Sequence, residues 1–371
     1  LDAYEIAYKY EVEYFKNMDK LNVLRPSISC RATGFIMEMI DTVKDILDKG
    51  YAYVTDEGNV YFDVRKYSKY GQLSNRKIEN NVSGERIEVA DDKKNPEDFA
   101  LWKSVSEETL MQWPSPWGNG CPGWHIECTT LGKKFLGTTF DIHGGGIDNI
   151  FPHHTNEIAQ SEAYLGHKWC NYWFHVEHLN MGSSKMSKSK GEFLTVNSLI
   201  EKGYNPLAYR FFVLLSHYQK KLEFSFENLD GAQNAYLKLK SKISRLNKEE
   251  DTLNQEMFDK YKNQFKEAMD DNLNTSLAIT TIYDVLKAEM NDYTKLKLIE
   301  DFDKVLSLDL TKEEEAKKLE NEDEILALIE ERNEAKKNKD YTKADQIRND
   351  LLAKGIQLVD TKEGTTYNIV K

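Results

Sequence analysis

Phe140-Asp141-Ile142-His143-Gly144-Gly145-Gly146-Ile147-Asp148 reads as a short apolar strand that runs into three glycines and then an acid. Glycine lets backbone approach a flat ligand closely. An acid just past the end of such a strand can accept hydrogen bonds from ribose hydroxyls. A tight turn would account for the same glycines. The spacing does not match G-x-G-x-x-G, so a dinucleotide is not the implied ligand.

The residues flanking this strand carry metal-binding chemistry. Seven of the eight histidines and three of the four cysteines lie between positions 121 and 178. Upstream, Gly123-Trp124-His125-Ile126-Glu127-Cys128 supplies a thiol; downstream, Phe151-Pro152-His153-His154-Thr155-Asn156-Glu157 supplies imidazoles and a carboxylate. Proline suits the first turn of a helix. A helix opened by Pro152 puts His153 and Glu157 four apart on one face, with His154 and Glu157, three apart, also sharing a face. A thiolate, an imidazole and a carboxylate together suit Zn²⁺ better than the all-oxygen sites of Mg²⁺ or Ca²⁺. Taken singly, a cysteine is most often a small buried hydrophobe and a histidine a hydrogen-bonded structural residue. Their convergence is what points to metal.

Further on comes Lys185-Met186-Ser187-Lys188-Ser189, framed by Gly182 and Gly191. Two ammonium groups interleaved with hydroxyls, on a loop that glycines allow to bend, offer adaptable donors to a polyphosphate.

Taken in order, Trp124-His-Ile-Glu-Cys128, Phe140-Asp-Ile-His-Gly-Gly-Gly146, Phe151-Pro-His-His154 and Lys185-Met-Ser-Lys-Ser189 resemble the cysteinyl-tRNA synthetases, class I aminoacyl-tRNA synthetases. Asp92–Lys103, Trp113–Gly118, Lys339–Asp345 and Gly355-Ile356 extend the resemblance over nearly the whole chain. It implies ATP-dependent activation of L-cysteine, with Mg²⁺ accompanying ATP, and transfer of the cysteinyl group to tRNA(Cys). One Zn²⁺ per chain is implied to bind the substrate thiolate. Cys128, His153 and Glu157 match three of its ligands, and the family's position favours His153 over His154. Trp124 and His143 fall where the family lines its amino-acid pocket. Asp148 and Gly145 fall on the ATP side, while Lys185 and Lys188 are the implied catalytic, phosphate-holding pair.

Some features depart from the family's pattern. No His-Ile-Gly-His type motif occurs, and the family's first zinc cysteine has no counterpart; Cys30 lies in a segment resembling a later stretch. The chain begins at Leu1, and the expectation is that an N-terminal portion is missing from the sequence, so that these residues alone do not form adenylate. Thr155 stands where the family has an acid. Two alternatives remain: a cysteine-activating ligase that acts on a sugar amine, and a non-catalytic zinc-containing tRNA-binding derivative.

The implied fold is a partial α/β Rossmann-like class I catalytic domain with an inserted mixed α/β segment, followed by an α-helical bundle and a small C-terminal α+β tail. Residues 1–110 read as the inserted and connective part, 111–180 as the second half of the nucleotide-binding domain with the zinc half-site, and 181–230 as the lysine loop and stem-contact region. Residues 231–312 read as the bundle and 313–371 as the anticodon-binding part. Within these, residues 57–64 read as an alternating strand, 206–215 as an apolar helix and 325–354 as one terminal helix. Four irregularly spaced cysteines do not make a disulfide framework. No apolar run reaches membrane-spanning length, and a monomer in the cytoplasm is expected. The net charge of −12 argues against indiscriminate polyanion binding and for local basic patches.

Overall fold

The computed structural model describes residues 2–76, 91–181, 194–312, 322–338, 340–353, 356–361 and 364–369. The chain divides into two units, Leu1–Thr311 and Lys312–Lys371.

The first unit opens with α1 (Ala3–Lys20), whose amino end is closed by a reciprocal Asp2–Glu5 capping box. α2 (Ile36–Asp48) follows, and its Ile36, Met39, Ile40, Val43 and Ile46 recur at helical spacing and are all buried. Four short strands, β1 (Ala52–Val54), β2 (Val60–Phe62), β3 (Phe99–Ser104) and β4 (Gly120–Pro122), pair antiparallel in that order. The alternation read over residues 57–64 is not seen in burial: Val60, Tyr61 and Phe62 are all buried. The outward face is covered because Asp92 accepts hydrogen bonds from Thr55, Asn59 and Tyr61, bringing its loop over the sheet.

α3 (Trp124–Leu136) starts directly after β4. Gly123 allows that junction, since a Cβ there would lie 2.0 Å from the Ala100 carbonyl oxygen. β5 (Phe140–Gly146) then leads through a kinked turn into α4 (Thr155–Leu165), and the chain returns as β6 (Cys170–Val176). β5 and β6 pair parallel, Phe140 against Cys170 through Gly146 against Val176, with α4 as the crossover. The glycines thus lie at the carboxyl end of a parallel strand, where ligands of α/β sheets bind.

A second parallel pair, β7 (Leu179–Met181) with β8 (Leu222–Phe224), brackets α5 (Val196–Glu201) and α6 (Pro206–Leu214). Asn205 caps α6, and Pro206 takes its first turn. Four longer helices complete the unit: α7 (Phe226–Ser244), α8 (Gln255–Asp270), α9 (Thr275–Lys287) and α10 (Asp292–Leu306). They share one apolar core with α5 and α6, while α2, the antiparallel sheet, α3 and α4 share another. Arg210 on α6 ties elements together by donating to the carbonyls of Leu306 and Leu21.

The second unit contains α11 (Glu322–Lys337), α12 (Tyr341–Ala353) and the antiparallel hairpin β9 (Ile356–Thr361) and β10 (Gly364–Ile369). The single terminal helix read over 325–354 is therefore two. Asp340 starts the second, its carboxylate accepting from the Lys343 N–H and its carbonyl from the Ala344 N–H.

Candidate metal centre and adjoining pocket

Two helices that pack together and the strand between them build the site. α3 carries Trp124, His125 and Cys128 in its first turns; β5 carries His143. Beyond β5, Phe151 is extended (φ −140°, ψ 130°), and helical backbone resumes at Pro152. His153 and Glu157 then lie one turn apart, and the Thr155 hydroxyl donates to the Ile150 carbonyl across the kink.

These positions bring Cys128, His153 and Glu157 together, with their donor atoms within 4.8 Å of one another. Cys128 Sγ lies 3.6 Å from His153 Nε2. Zinc–sulfur and zinc–nitrogen bonds of about 2.3 and 2.0 Å at tetrahedral angles give an edge of roughly 3.5 Å, so this separation fits a shared ion. His153 Nε2 is 2.8 Å from Glu157 Oε1, and His143 Nε2 is 3.4 Å from Oε2. Neither approach has hydrogen-bond geometry. Both carboxylate oxygens of Glu157 are buried with no hydrogen-bond donor among the described residues, and the side chain is 0% exposed. A buried carboxylate without donors costs several kcal/mol unless a cation accompanies it.

The surrounding histidines are tuned to stay neutral. Burial, reinforced by the charges of His153 and Lys103, pushes His125 down to about 3. Its Nδ1 faces His153 Nδ1 at 2.8 Å. A proton on His153 Nδ1, donated to His125, leaves the Nε2 lone pair free toward Cys128 and Glu157; this is how outer partners set the tautomer of a metal-binding histidine. Burial and then the carboxylates of Glu157 and Glu127 push the Cys128 thiol up to about 12. Only a cation would hold it as a thiolate near neutrality.

His154 turns away from Cys128. Its Nδ1 is 2.8 Å from His175 Nε2, and with His143 and Glu157 it forms a second group of converging donors. Burial, followed by the charges of His143, His175 and His153, pushes it down to about 3 as well. The glycines of β5 have an internal use here: a Cβ on Gly145 would lie 2.7 Å from His154 Cε1, and one on Gly146 would lie 2.4 Å from Asp148 Oδ1.

Trp124 is 55% exposed and stacks on His153 with ring centres 4.0 Å apart. His143 is half-buried between Trp173 (4.6 Å) and His154 (4.8 Å). Asp148 is exposed, and no described residue hydrogen-bonds its carboxylate. Lys185 and Lys188 lie outside the described residues. The sequence reading did not single out His125 and His175 as partners of the site. Their place among the clustered histidines was the available signal, and their pairing depends on how α3, α4 and β6 pack.

Residues 2–234 match the family described as the class I (C) tRNA synthetase catalytic domain. A cysteine–tRNA ligase of Thermodesulfovibrio yellowstonii is 42% identical over 98% of this chain and 82% of its own length. The chain belongs to the cysteine–tRNA ligase family. Members from Caldicellulosiruptor saccharolyticus and Thermococcus onnurineus are 40% and 41% identical, over 100% and 99% of this chain and 83% and 81% of their own lengths. As a family member the chain is an aminoacyl-tRNA synthetase, an enzyme of the ligase class, with the Rossmann-like class I catalytic fold. That fold is shared with methionyl-tRNA synthetase of Mycobacterium tuberculosis in complex with methionyl-adenylate, at a TM-score of 0.54 and 12% identity, over 83% of this chain and 79% of that one. No helix among the described residues is long and apolar enough to cross a membrane.

Proposed function

We propose that the chain activates L-cysteine with ATP and passes the cysteinyl group to tRNA(Cys), with Cys128, His153 and Glu157 holding a Zn²⁺ that reads the substrate's thiol. The observation that carries this reading is the carboxylate of Glu157, buried beside a thiol and an imidazole and without hydrogen-bond donors among the described residues. When bound, the ion supplies a soft Lewis acid that takes a thiolate in preference to a hydroxyl. Shape alone separates near-isosteres such as cysteine and serine by only ~1–3 kcal/mol.

The chain's own residues do the rest. Glu157 offsets the charge of the ion, and His125 holds His153 in the tautomer that can ligate. Trp124 and His143 wall the place where the amino acid sits. The substrate carboxylate is already ionised near neutrality and attacks the α-phosphorus of ATP without a general base. What that step requires is alignment and neutralisation of charge on the departing pyrophosphate. Lys185 and Lys188 are assigned that task, and Gly145 and Asp148 border the ribose.

Metal analysis of the purified complete protein, paired with cysteine-dependent ATP–pyrophosphate exchange and tRNA charging, tests the proposal. The expected result is one zinc per chain, exchange with cysteine and not serine, and charging of tRNA(Cys). A protein that is fully active after zinc is stripped would overturn it. Exchange without charging would select a ligase with another acceptor.

A further inference from the structure

Both carboxylate oxygens of Glu157 are buried without a hydrogen-bond donor among the described residues, and the zinc proposed above accounts for one of them. Oε1 lies 2.8 Å from Nε2 of His153, the imidazole that faces Cys128. Oε2 instead approaches His143, 3.4 Å from its Nε2. Oxygen and nitrogen ligands about 2.0–2.1 Å from a tetrahedral ion stand roughly 3.4 Å apart, so an ion would bridge this second separation.

His154 completes the set. The donor atoms of His143, His154 and Glu157 all lie within 4.8 Å of one another, with His154 and Glu157 buried and His143 half-buried. His154 Nδ1 is 2.8 Å from His175 Nε2, so a proton on Nδ1, donated to His175, leaves a free lone pair on Nε2. That nitrogen lies over β5: a Cβ on Gly145 would be 2.9 Å from it, and Gly145 and His143, two apart on the strand, share a face. The rings of His143 and His154 stand at 81° with centres 4.8 Å apart, so their in-plane lone pairs can converge without the rings overlapping. Burial holds both imidazoles in the neutral form that ligates. The arrangement repeats that of the first ion, where His125 backs His153 as His175 backs His154.

We infer that His143, His154 and Oε2 of Glu157 form a second, weaker site for Zn²⁺ or a similar transition-metal ion, with Glu157 bridging the two ions, and that filling it shuts the amino-acid pocket. Two imidazoles and a carboxylate suit borderline divalent ions and not Mg²⁺ or Ca²⁺. The site is the weaker one because no thiolate contributes and an ion there is repelled by the first. The purified protein therefore carries one zinc, and the second enters only when free zinc is in excess. Blockage of the pocket rests on the reading above, in which His143 walls the place of the amino acid; the donor set itself does not.

The test titrates the complete, zinc-loaded protein with zinc at free concentrations fixed by a chelator, and counts bound metal while cysteine-dependent pyrophosphate exchange is followed. The wild type should take up a second equivalent, and exchange should fall as it binds, with the half-inhibiting free zinc rising linearly as cysteine is raised. Additional Mg²⁺ should do neither. His154→Gln should keep the first zinc, which also reports that the site has folded, and lose the second equivalent together with the inhibition. His175→Phe should keep both ions and weaken the second by about 10- to 100-fold. Cobalt substitution tells the ions apart, because only the first carries a cysteine thiolate and its sulfur charge-transfer absorption. No second equivalent at free zinc up to roughly 1 mM, or one that His154→Gln leaves intact, would overturn the inference while the activation reading stands. So would a second cobalt that adds sulfur charge-transfer absorption. A second equivalent that leaves exchange untouched would overturn the blockage of the pocket. A tightly held zinc that survives Cys128→Ala, with the second equivalent still lost in His154→Gln, would support this site and sink the reading of the first.

Discussion

Glu157→Gln keeps the size of the side chain and removes its charge. In the metal-free protein the wild-type carboxylate is fully buried, has no hydrogen-bond donor among the described residues and lies against His153 and His143. An unpaired buried charge costs several kcal/mol, an unpaired buried amide ~1–3 kcal/mol. Because the nearby imidazoles offset part of the charge, the gain is taken at the low end, and the variant's metal-free form should be more stable by about 1–2 kcal/mol. At ~2–4 °C per kcal/mol this is a rise in Tm of roughly 2–8 °C. Zinc loading should show the opposite. Removal of an outer partner of a ligand already costs ~10–100-fold in metal affinity, so loss of a ligand should reach at least the upper end. This removes about 2.7 kcal/mol of ligand-linked stability, and the zinc-induced rise in Tm should narrow by roughly 5–11 °C. Calorimetry or dye-monitored melting of both forms, with and without zinc, reads both numbers. A metal-free variant that melts lower than wild type, with an unchanged zinc-induced shift, would refute the view that Glu157 awaits a cation.

Three further outcomes are expected, two from this geometry and the third from the proposed role of the lysine loop. Since burial holds the Cys128 thiol up near 12, metal must displace its proton at any ordinary pH. Zinc affinity should therefore rise by about one log unit or more per pH unit from mildly acidic to mildly basic solution; competition against a chelator whose own protonation is corrected for would expose a flat profile, which excludes Cys128. His125 and His154 are pushed down to about 3 from an ordinary value near 6.5. The unfolded chain thus binds protons that the folded one does not, and stability should be full above roughly pH 6.5 and decline as pH falls toward 3; denaturant melts at intervals of pH check the sign. Lys188→Ala should slow pyrophosphate exchange by about 100- to 1000-fold with little change in the cysteine KM, and a KM effect alone would remove the phosphate role.

Much of the local structure was legible because it depends on neighbours in sequence. The apolar helix read over 206–215 is α6, whose start at Pro206 is a short-range rule; the apolar spacing of α2 obeys another, though the sequence reading did not pick it out. The break before Tyr341 was missed, although Asp340 signals it, because a continuous charged helical pattern masks a single capping residue. β3 and β4 were missed for another reason: they are short, and their burial depends on a loop anchored through Asp92 and on α3 arriving from further along the chain.

The sequence by itself determined the donor types, with a thiol at Cys128 and an imidazole and carboxylate four apart at His153 and Glu157, because spacing along one helix is set by its pitch. Tertiary structure decided which histidine meets the thiol. Packing of α3 against α4 turns His153 toward Cys128, while His154 goes to His175 across the gap left by Gly145. The burial that leaves Glu157 without donors and keeps His125 neutral is likewise a property of the assembled layers, since desolvation depends on everything packed around a group and not on the residues beside it in the chain.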